Sequence, residues 1–292
     1  MKIATAAYQP EWHPDWDSLA AKLDRWVADA TGQGADLLVF PEYAGVEAGL
    51  IGPAADRSPV DWVAHLRDCC DAWVELHQQL AKRYGVYILA GSLPWAAGSQ
   101  THNTAPFCAP SGQMVAQNKL ILTPYERREM QLAPGDALQL IDTSLGKIGV
   151  LICYDSEFPL LARALVAAGA DLILVPSCTE APAGQTRVRQ SCRARAIEGQ
   201  SLVVQAPLVG AVPECEIIDI STGRAGIFCP PDLGLPPDGI IAQGAPDTPG
   251  WTIANVDLAP VAAVRNTGQV GNFSHWPEQD QRCDTIISVT LR

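Results

Sequence analysis

Residues 149–177 read GVLICYDSEFPLLARALVAAGADLILVPS, and this stretch sets the fold class. An apolar run ends in a lone cysteine. A short polar segment follows, then apolar positions at helical spacing from about Glu157 to Ala168, then a second apolar run. Neither GVLIC nor DLILV alternates with polar residues, which marks strands covered on both faces, as in parallel sheets joined by crossover helices. Cys153 therefore falls where a strand hands over to a helix. In open α/β sheets ligands bind at the carboxyl ends of strands, and a nucleophile at such a turn projects from the sheet beside the N–H groups of the following turn. A buried cysteine is ordinarily a small hydrophobe; this position makes a chemical role competitive with that one.

The same α/β alternation extends in both directions. Upstream, KIATAAYQ reads as a strand, residues 16–31 as a helix, DLLVF as a strand, residues 59–84 as one long helix and VYILAGS as a strand. Downstream come a helix over about 183–198 and the strand SLVVQAP. Between the halves, HNTAPFCAPSGQMVAQNK reads as two strands joined by a turn at Pro110 to Gln113. The Pro- and Gly-rich stretch from Cys229 to Pro249 reads as a long excursion and not as a linker, so a single domain over residues 1–292 is expected.

Composition narrows the function classes. With 292 residues, 48% of them hydrophobic, the chain can bury a large core, and its net charge of −12 offers no basic surface for nucleic acid or an anionic membrane. A small-molecule partner fits better. The nine cysteines are odd in number and scattered, with Cys69 and Cys70 adjacent and no C-x-x-C, which argues against a disulfide framework or zinc ribbon. His13, His65, His77, His102 and His275 form no H-x-x-x-H pair, so neither a metal nor another cofactor is expected. The opening residues lack a basic start followed by a long apolar stretch, and no run approaches the roughly 18 apolar residues of a membrane span. The expectation is a cytoplasmic protein.

A thiol with an ordinary pKa of about 8.5 is mostly protonated at neutral pH and needs a base or a cation beside it. No histidine ends an apolar strand: His102 begins a strand-like run and His275 lies in the polar NFSHWPEQ. Two other strand ends supply candidates. DLLVFPEY places Glu42 just past a strand, after Pro41, and QMVAQNK ends in Lys119. A carboxylate, an ammonium and a thiol are a general base, an electrostatic clamp and a nucleophile, a set able to run acyl transfer.

With these residues in place the sequence resembles the nitrilase superfamily of carbon-nitrogen hydrolases, through FPEY at Glu42, NKLILTPYERREMQLAPGD at Lys119 and the opening stretch at Cys153. The likeness runs from AAYQP through CRARAIEGQ. It implies a four-layer α-β-β-α sandwich and a Glu42–Lys119–Cys153 triad. In that triad Glu42 takes the thiol proton and later activates water, Cys153 forms a thioester, and Lys119 holds the oxyanion with the backbone N–H of Tyr154. It also implies a supporting role for Glu126, which by sequence alone would be an exposed loop carboxylate among Arg127, Arg128 and Glu129. A homodimer or larger assembly is implied through the helices after Cys153 and around QTRVRQSCRARAIEGQ, whose Arg195 and Glu198 are spaced as an ordinary helix pair.

Within the family, nitrile-hydrolysing members usually carry Cys-Trp-Glu, whereas this chain has Cys153-Tyr154-Asp155, the amide-hydrolysing pattern. The expected activity is hydrolysis of a small-molecule amide. The alternatives are a nitrilase, an N-carbamoyl amidohydrolase, an acyltransferase, or an inert binding protein on the same scaffold. Tyr125, Glu157, Cys178 and Thr179 are expected to line the substrate pocket. Related enzymes acting on carboxylate substrates place arginine one or two positions after Cys-x-Asp; here Ser156 and Glu157 stand there. A neutral or cationic substrate is therefore expected if Glu157 faces the pocket, and a helix-capping role for it if not.

Overall fold

The computed structural model describes residues 1–291; Arg292, the last residue of the expected domain, lies outside them. The first half forms β1 (Lys2–Ala7), α1 (Trp16–Gly32), β2 (Leu37–Phe40), α2 (Pro59–Arg67), α3 (Cys70–Tyr84), β3 (Tyr87–Ala90), β4 (Leu93–Ala97), β5 (Gln100–Cys108), β6 (Met114–Asn118) and the single-turn helix α4 (Pro124–Arg128). The second half forms β7 (Leu140–Thr143), β8 (Gly146–Val150), α5 (Pro159–Ala167), β9 (Leu172–Ser177), α6 (Pro182–Gly199), β10 (Leu202–Pro207), the short pair β11 (Gly210–Ala211) and β12 (Ile220–Ser221), β13 (Gly226–Phe228), β14 (Ile240–Gln243), β15 (Gly250–Asn255) and α7 (Leu258–Thr267).

One sheet has the order β15-β1-β2-β3-β5-β4, with β6 on β5, and the other β14-β13-β10-β9-β8-β7. The strands that end at the candidate residues are β2, β6 and β8. Period-2 geometry explains the layering. Along β2, Leu38 and Phe40 share a core with Leu23 and Val27 of α1 and Trp73 and Leu80 of α3, while Leu37 and Val39 share one with Ile173 of β9 and Val203 of β10. On its far side the second sheet packs against Leu165 of α5 and Val188 and Cys192 of α6. The result is helix, sheet, sheet, helix, the four-layer sandwich the sequence implied. A buried Thr5 hydroxyl donates across the sheets to the Gln205 carbonyl at 2.7 Å, and the Tyr8 N–H reaches the Pro207 carbonyl at 3.1 Å. Close approach of α5 to β8 requires Gly149, where a Cβ would lie 2.6 Å from Leu165.

Three local expectations change. The long helix over 59–84 is two helices: the Leu66 carbonyl accepts from the Cys69 N–H at 3.0 Å, a tight turn, and from the Cys70 thiol at 3.2 Å. The helix expected from Glu157 starts at Pro159, because Cys153–Glu157 forms a separate 3-10 turn. Residues 229–249 are more than an excursion, since β14 pairs antiparallel with β13 and extends the second sheet. The turn at Pro110 to Gln113 is present, closed by the Ala109 N–H on the Gln113 carbonyl at 2.9 Å.

A buried ionic cluster flanks β1. Glu47 accepts from the Lys22 ammonium at 2.7 Å, His13 Nε2 at 2.9 Å, the Glu11 N–H at 3.0 Å and the Tyr8 hydroxyl. Glu11, His13 and Glu47 have donor atoms close enough for a metal, yet the Lys22 ammonium, also 3.2 Å from Glu11, already supplies the cation. Among the described residues no helix is long and apolar enough to cross a membrane.

Candidate active site

The ends of β2, β6 and β8 meet at the floor of a cavity of about 860 Å³. Lys119 follows β6 directly, its N–H held by the Asn103 carbonyl at 2.8 Å. Its ammonium donates to Glu42 Oε1 at 2.7 Å and to Glu126 at 2.8 Å. All three side chains are buried, with Lys119 only 1% exposed. Water therefore contributes little to solvating these charges, and each must find its partners within the protein.

Glu126 is placed by helix capping. Thr123 caps α4 by accepting from the Glu126 N–H, while Glu126 Oε2 accepts from the Thr123 N–H at 2.8 Å and hydroxyl at 2.9 Å, a reciprocal capping box. Its other oxygen accepts from the Tyr43 hydroxyl at 2.7 Å and the Asn103 amide at 3.0 Å. The exposed-loop reading of Glu126 is thus wrong in the fold: only Arg127, Arg128 and Glu129 of that charge run lie outside the buried site.

Cys153 sits in the left-handed region with φ +49°, a conformation costly for a non-glycine residue and typical of strained functional turns. Its thiol lies 3.6 Å from the Cys178 carbonyl, and the Cys178 N–H donates to Glu42 Oε2 at 2.8 Å. One peptide segment beyond β9 therefore touches both thiol and carboxylate. Cys178 lines the cavity as expected, but its backbone carries the positioning, and its own thiol rests 3.6 Å from the Ser221 hydroxyl.

Asp155 fixes the turn from beneath. Its carboxylate accepts from the Ile121 N–H at 2.8 Å and from those of Leu120 and Ile152 at 3.2 Å, tying the segment after Lys119 to the cysteine turn. Burial raises its pKa to about 6 against the pull of those N–H groups. Behind it, Ser156 donates to the Cys153 carbonyl at 2.6 Å, and Arg195, paired with Glu198 at 2.9 Å, donates to the Ser156 carbonyl at 3.0 Å.

Burial, reinforced by the Glu42 charge, pushes the Cys153 thiol well above its usual range, with Lys119 opposing. Glu42 also lies above the ordinary carboxylate value, because burial and Glu126 outweigh Lys119. For Glu126 burial acts upward, but Lys119 and its hydrogen-bond donors hold it low. Lys119 stays charged: the two glutamates overcome the cost of burial. A protonated thiol beside a buried carboxylate, with an ammonium at the same point, can support proton transfer and stabilise a developing oxyanion.

The other expected residues also line the cavity: Tyr125, Tyr154, Glu157 and Thr179. Tyr154 is the second residue of the 3-10 turn, where backbone N–H groups have no partner within the turn. Glu157 faces the cavity and does not cap α5, whose N-cap is Phe158; its carboxylate pairs with Arg187 at 3.4 Å. Thr179 is clipped to Thr222 by its hydroxyl and its carbonyl, each at 2.8 Å.

Sequence reasoning missed Asn103 and Tyr43. Asn103 donates one amide to both Glu42 Oε1 at 2.9 Å and Glu126 Oε1 at 3.0 Å, while its own oxygen is buried without a partner. Two acceptor-only neighbours fix which end of the amide faces them. Asn103 stands in the polar run from Gln100 to Thr104, which gave no contrast to mark it; for Tyr43, adjacency to Glu42 was the only signal.

The carbon-nitrogen hydrolase family matches residues 2–266. The probable hydrolase YhcX of Bacillus subtilis is 33% identical over 270 residues, 92% of this chain and 52% of that protein. The omega-amidase NIT2 of Danio rerio is 28% identical over 62% of this chain and 65% of its own length. The chain thus spans about half the length of YhcX and under two thirds of that omega-amidase, whereas a deaminated glutathione amidase of Synechocystis, 27% identical, is covered to 96%. Among solved structures, a variant of the amidase from Nesterenkonia sp. AN1, with the acetamide moiety of fluoroacetamide added covalently at its active-site cysteine, superposes with TM-score 0.72 at 23% identity over 91% of this chain and 94% of that one. Nit3 of Saccharomyces cerevisiae, of the nitrilase superfamily, gives 0.70 at 21% identity over 91% and 93%.

Proposed function

The chain belongs to the carbon-nitrogen hydrolase family, and from that footing we propose that it hydrolyses a small-molecule amide through a thioester on Cys153, releasing ammonia or an amine. The observation that carries this reading is the Lys119 ammonium held between two buried glutamates at the foot of the cavity that Cys153 enters.

Glu42 Oε2 takes the thiol proton as Sγ attacks the amide carbon. The C=O π pair moves to oxygen, and the oxyanion is met by Lys119 and the Tyr154 N–H. Collapse breaks the C–N bond while Glu42 returns the proton to the leaving nitrogen. Glu42 then takes a proton from water, whose oxygen attacks the thioester. The second tetrahedral species expels the sulfur, which recovers the proton, and the acid leaves. Glu126 keeps Lys119 charged and aimed, and Asn103 keeps the two glutamates in place.

The site works as one unit in one domain over residues 1–292, a reading supported by β1 and β15 of the first sheet closing on strands from both halves of the chain. A homodimer or larger homo-oligomer is supported by Leu160 on α5, 72% exposed, and Ile197 on α6, 42% exposed. A reducing compartment, the cytoplasm, is supported by nine free thiols, with Cys283 exposed.

The test is ammonia release from a panel of amides, carbamoyl compounds and nitriles, with a matched amide–nitrile pair. Amide turnover that disappears in Cys153→Ala, with an acyl group trapped on the Cys153 peptide by mass spectrometry, is expected. Retention of more than a few per cent of activity by that variant overturns the covalent route. Higher kcat/KM on the nitrile makes it a nitrilase, and preferred transfer to an amine makes it an acyltransferase.

A further inference from the structure

Resting on the amidase reading, we infer that the cavity selects amides whose far end carries a positive charge, and that Glu180, Glu216 and Asp219, not Glu157, impose this choice. The cavity lining contains two cations among the described residues, Lys119 and Arg187. Lys119 is consumed by Glu42 and Glu126, and Arg187 pairs with Glu157. Glu157 is therefore largely answered.

Three other carboxylates of the lining are not. Glu180 follows Thr179, which is clipped to Thr222 through both its hydroxyl and its carbonyl. That clip holds Glu180 beside the segment carrying Glu216 and Asp219, and all three carboxylates line the cavity. None of the three has an ion-pair partner among the described residues. Tyr125 lines the same cavity, and its phenol is raised by burial first and then by Glu216, Asp219 and Glu180 in turn. Ile217 and Ile220 supply apolar wall between the carboxylates, and Tyr125 an aromatic face that also favours a cation. A substrate whose amide reaches Cys153 thus presents its other end to three unmatched negative charges. An ammonium or guanidinium gains there; a carboxylate is repelled.

The experiment compares three amides on one three-methylene chain, ending in ammonium, methyl or carboxylate, in wild type and in the triple variant Glu180→Gln, Glu216→Gln, Asp219→Asn. For wild type the expected kcat/KM order is ammonium, methyl, carboxylate, with the first exceeding the last by roughly tenfold or more, and with the ratio shrinking as salt screens the exposed carboxylates. In the triple variant the ratio falls to within about threefold. A parallel reading does not depend on turnover: Cys153 is modified with aminoethyl or sulfonatoethyl methanethiosulfonate and rates are normalised to free cysteine. The cationic reagent is expected to be faster in wild type and to lose that advantage in the variant. Equal handling of the three amides, or a preference for the carboxylate, overturns the inference while leaving the amidase reading intact. Turnover of none of them, nor of any amide in the wider panel, overturns the amidase reading and this inference with it.

Discussion

Replacing Asn103 with leucine keeps the branching and heavy-atom count of the side chain but removes the one amide that Glu42 and Glu126 share. A hydrogen bond to a charged group contributes about 1.5–3 kcal/mol, and here it is divided between two carboxylates that both favour it when ionised. If each loses about half, the loss at Glu42 is about 0.75–1.5 kcal/mol, roughly half to one pK unit. The direction follows from which form the donor favours. The amide stabilises ionised Glu42, whose pKa burial already places above the ordinary value, so its removal moves that pKa further up. The base must be ionised to take the thiol proton. Activity is thus lost as pH falls through the Glu42 pKa, and the acid limb of the kcat/KM profile moves to higher pH by roughly half to one unit. Iodoacetamide alkylation of Cys153 against pH, which needs no substrate, should move in the same direction. Asn103→Asp places a third carboxyl against the first two and should move the limb further. A uniform drop in rate at every pH, with the limb unmoved in both variants, would refute the reasoning and leave Asn103 a packing residue.

The remaining predictions concern burial of charge. Lys119→Ala should abolish turnover and leave Glu42 and Glu126 without their cation; both pKa values then rise in the folded state. The folded state binds more protons than the unfolded chain above the ordinary carboxylate range, so denaturant stability of this variant should fall as pH rises through that window. Lys22→Met strips the counter-charge from fully buried Glu47 and should cost about 3–5 kcal/mol in urea unfolding; no loss would mean that His13 and Tyr8 suffice. Asp155→Asn replaces with a donor one of the two oxygens that between them accept from three N–H groups and should cost about 1–3 kcal/mol with a fall in kcat, read by thermal melting beside steady-state rates.

The parts of this molecule legible in the sequence are those governed by short-range pattern. Unalternated apolar runs located β2, β8 and β9, and a cysteine, a glutamate and a lysine at strand ends were legible because strand ends are where side chains leave a sheet for a cavity. Glu126 is more instructive. Its capping box with Thr123 is local and could be read, but its burial depends on Tyr43 and Asn103, which lie 83 and 23 residues away. The break between α2 and α3 left no signal, since neither glycine nor proline occurs at residues 68 and 69. Glu180, Glu216 and Asp219 were invisible for a third reason: surface carboxylates in a chain of net charge −12 look alike until the fold, with the clip between Thr179 and Thr222, brings them to the lining of one cavity.

The buried charges at the cavity floor also explain how two groups with raised pKa values can exchange a proton. In isolation, a thiol pushed up by burial would be a poorer nucleophile, since less of it is thiolate. Glu42, however, is pushed up by the same burial. Moving the proton from Sγ to Glu42 relocates one negative charge within the cluster without changing its total, so most of the desolvation cost common to both groups cancels. What remains is the difference in how each site is solvated by fixed partners. Once protonated, Glu42 accepts more weakly from Lys119, Asn103 and the Cys178 N–H; the thiolate gains the field of the same Lys119, and the oxyanion that follows gains more of it. A single ammonium reached from several sides can shift its strongest interaction from base to oxyanion without moving far. Glu126, held low and hydrogen-bonded throughout, keeps that ammonium charged while its other partners change.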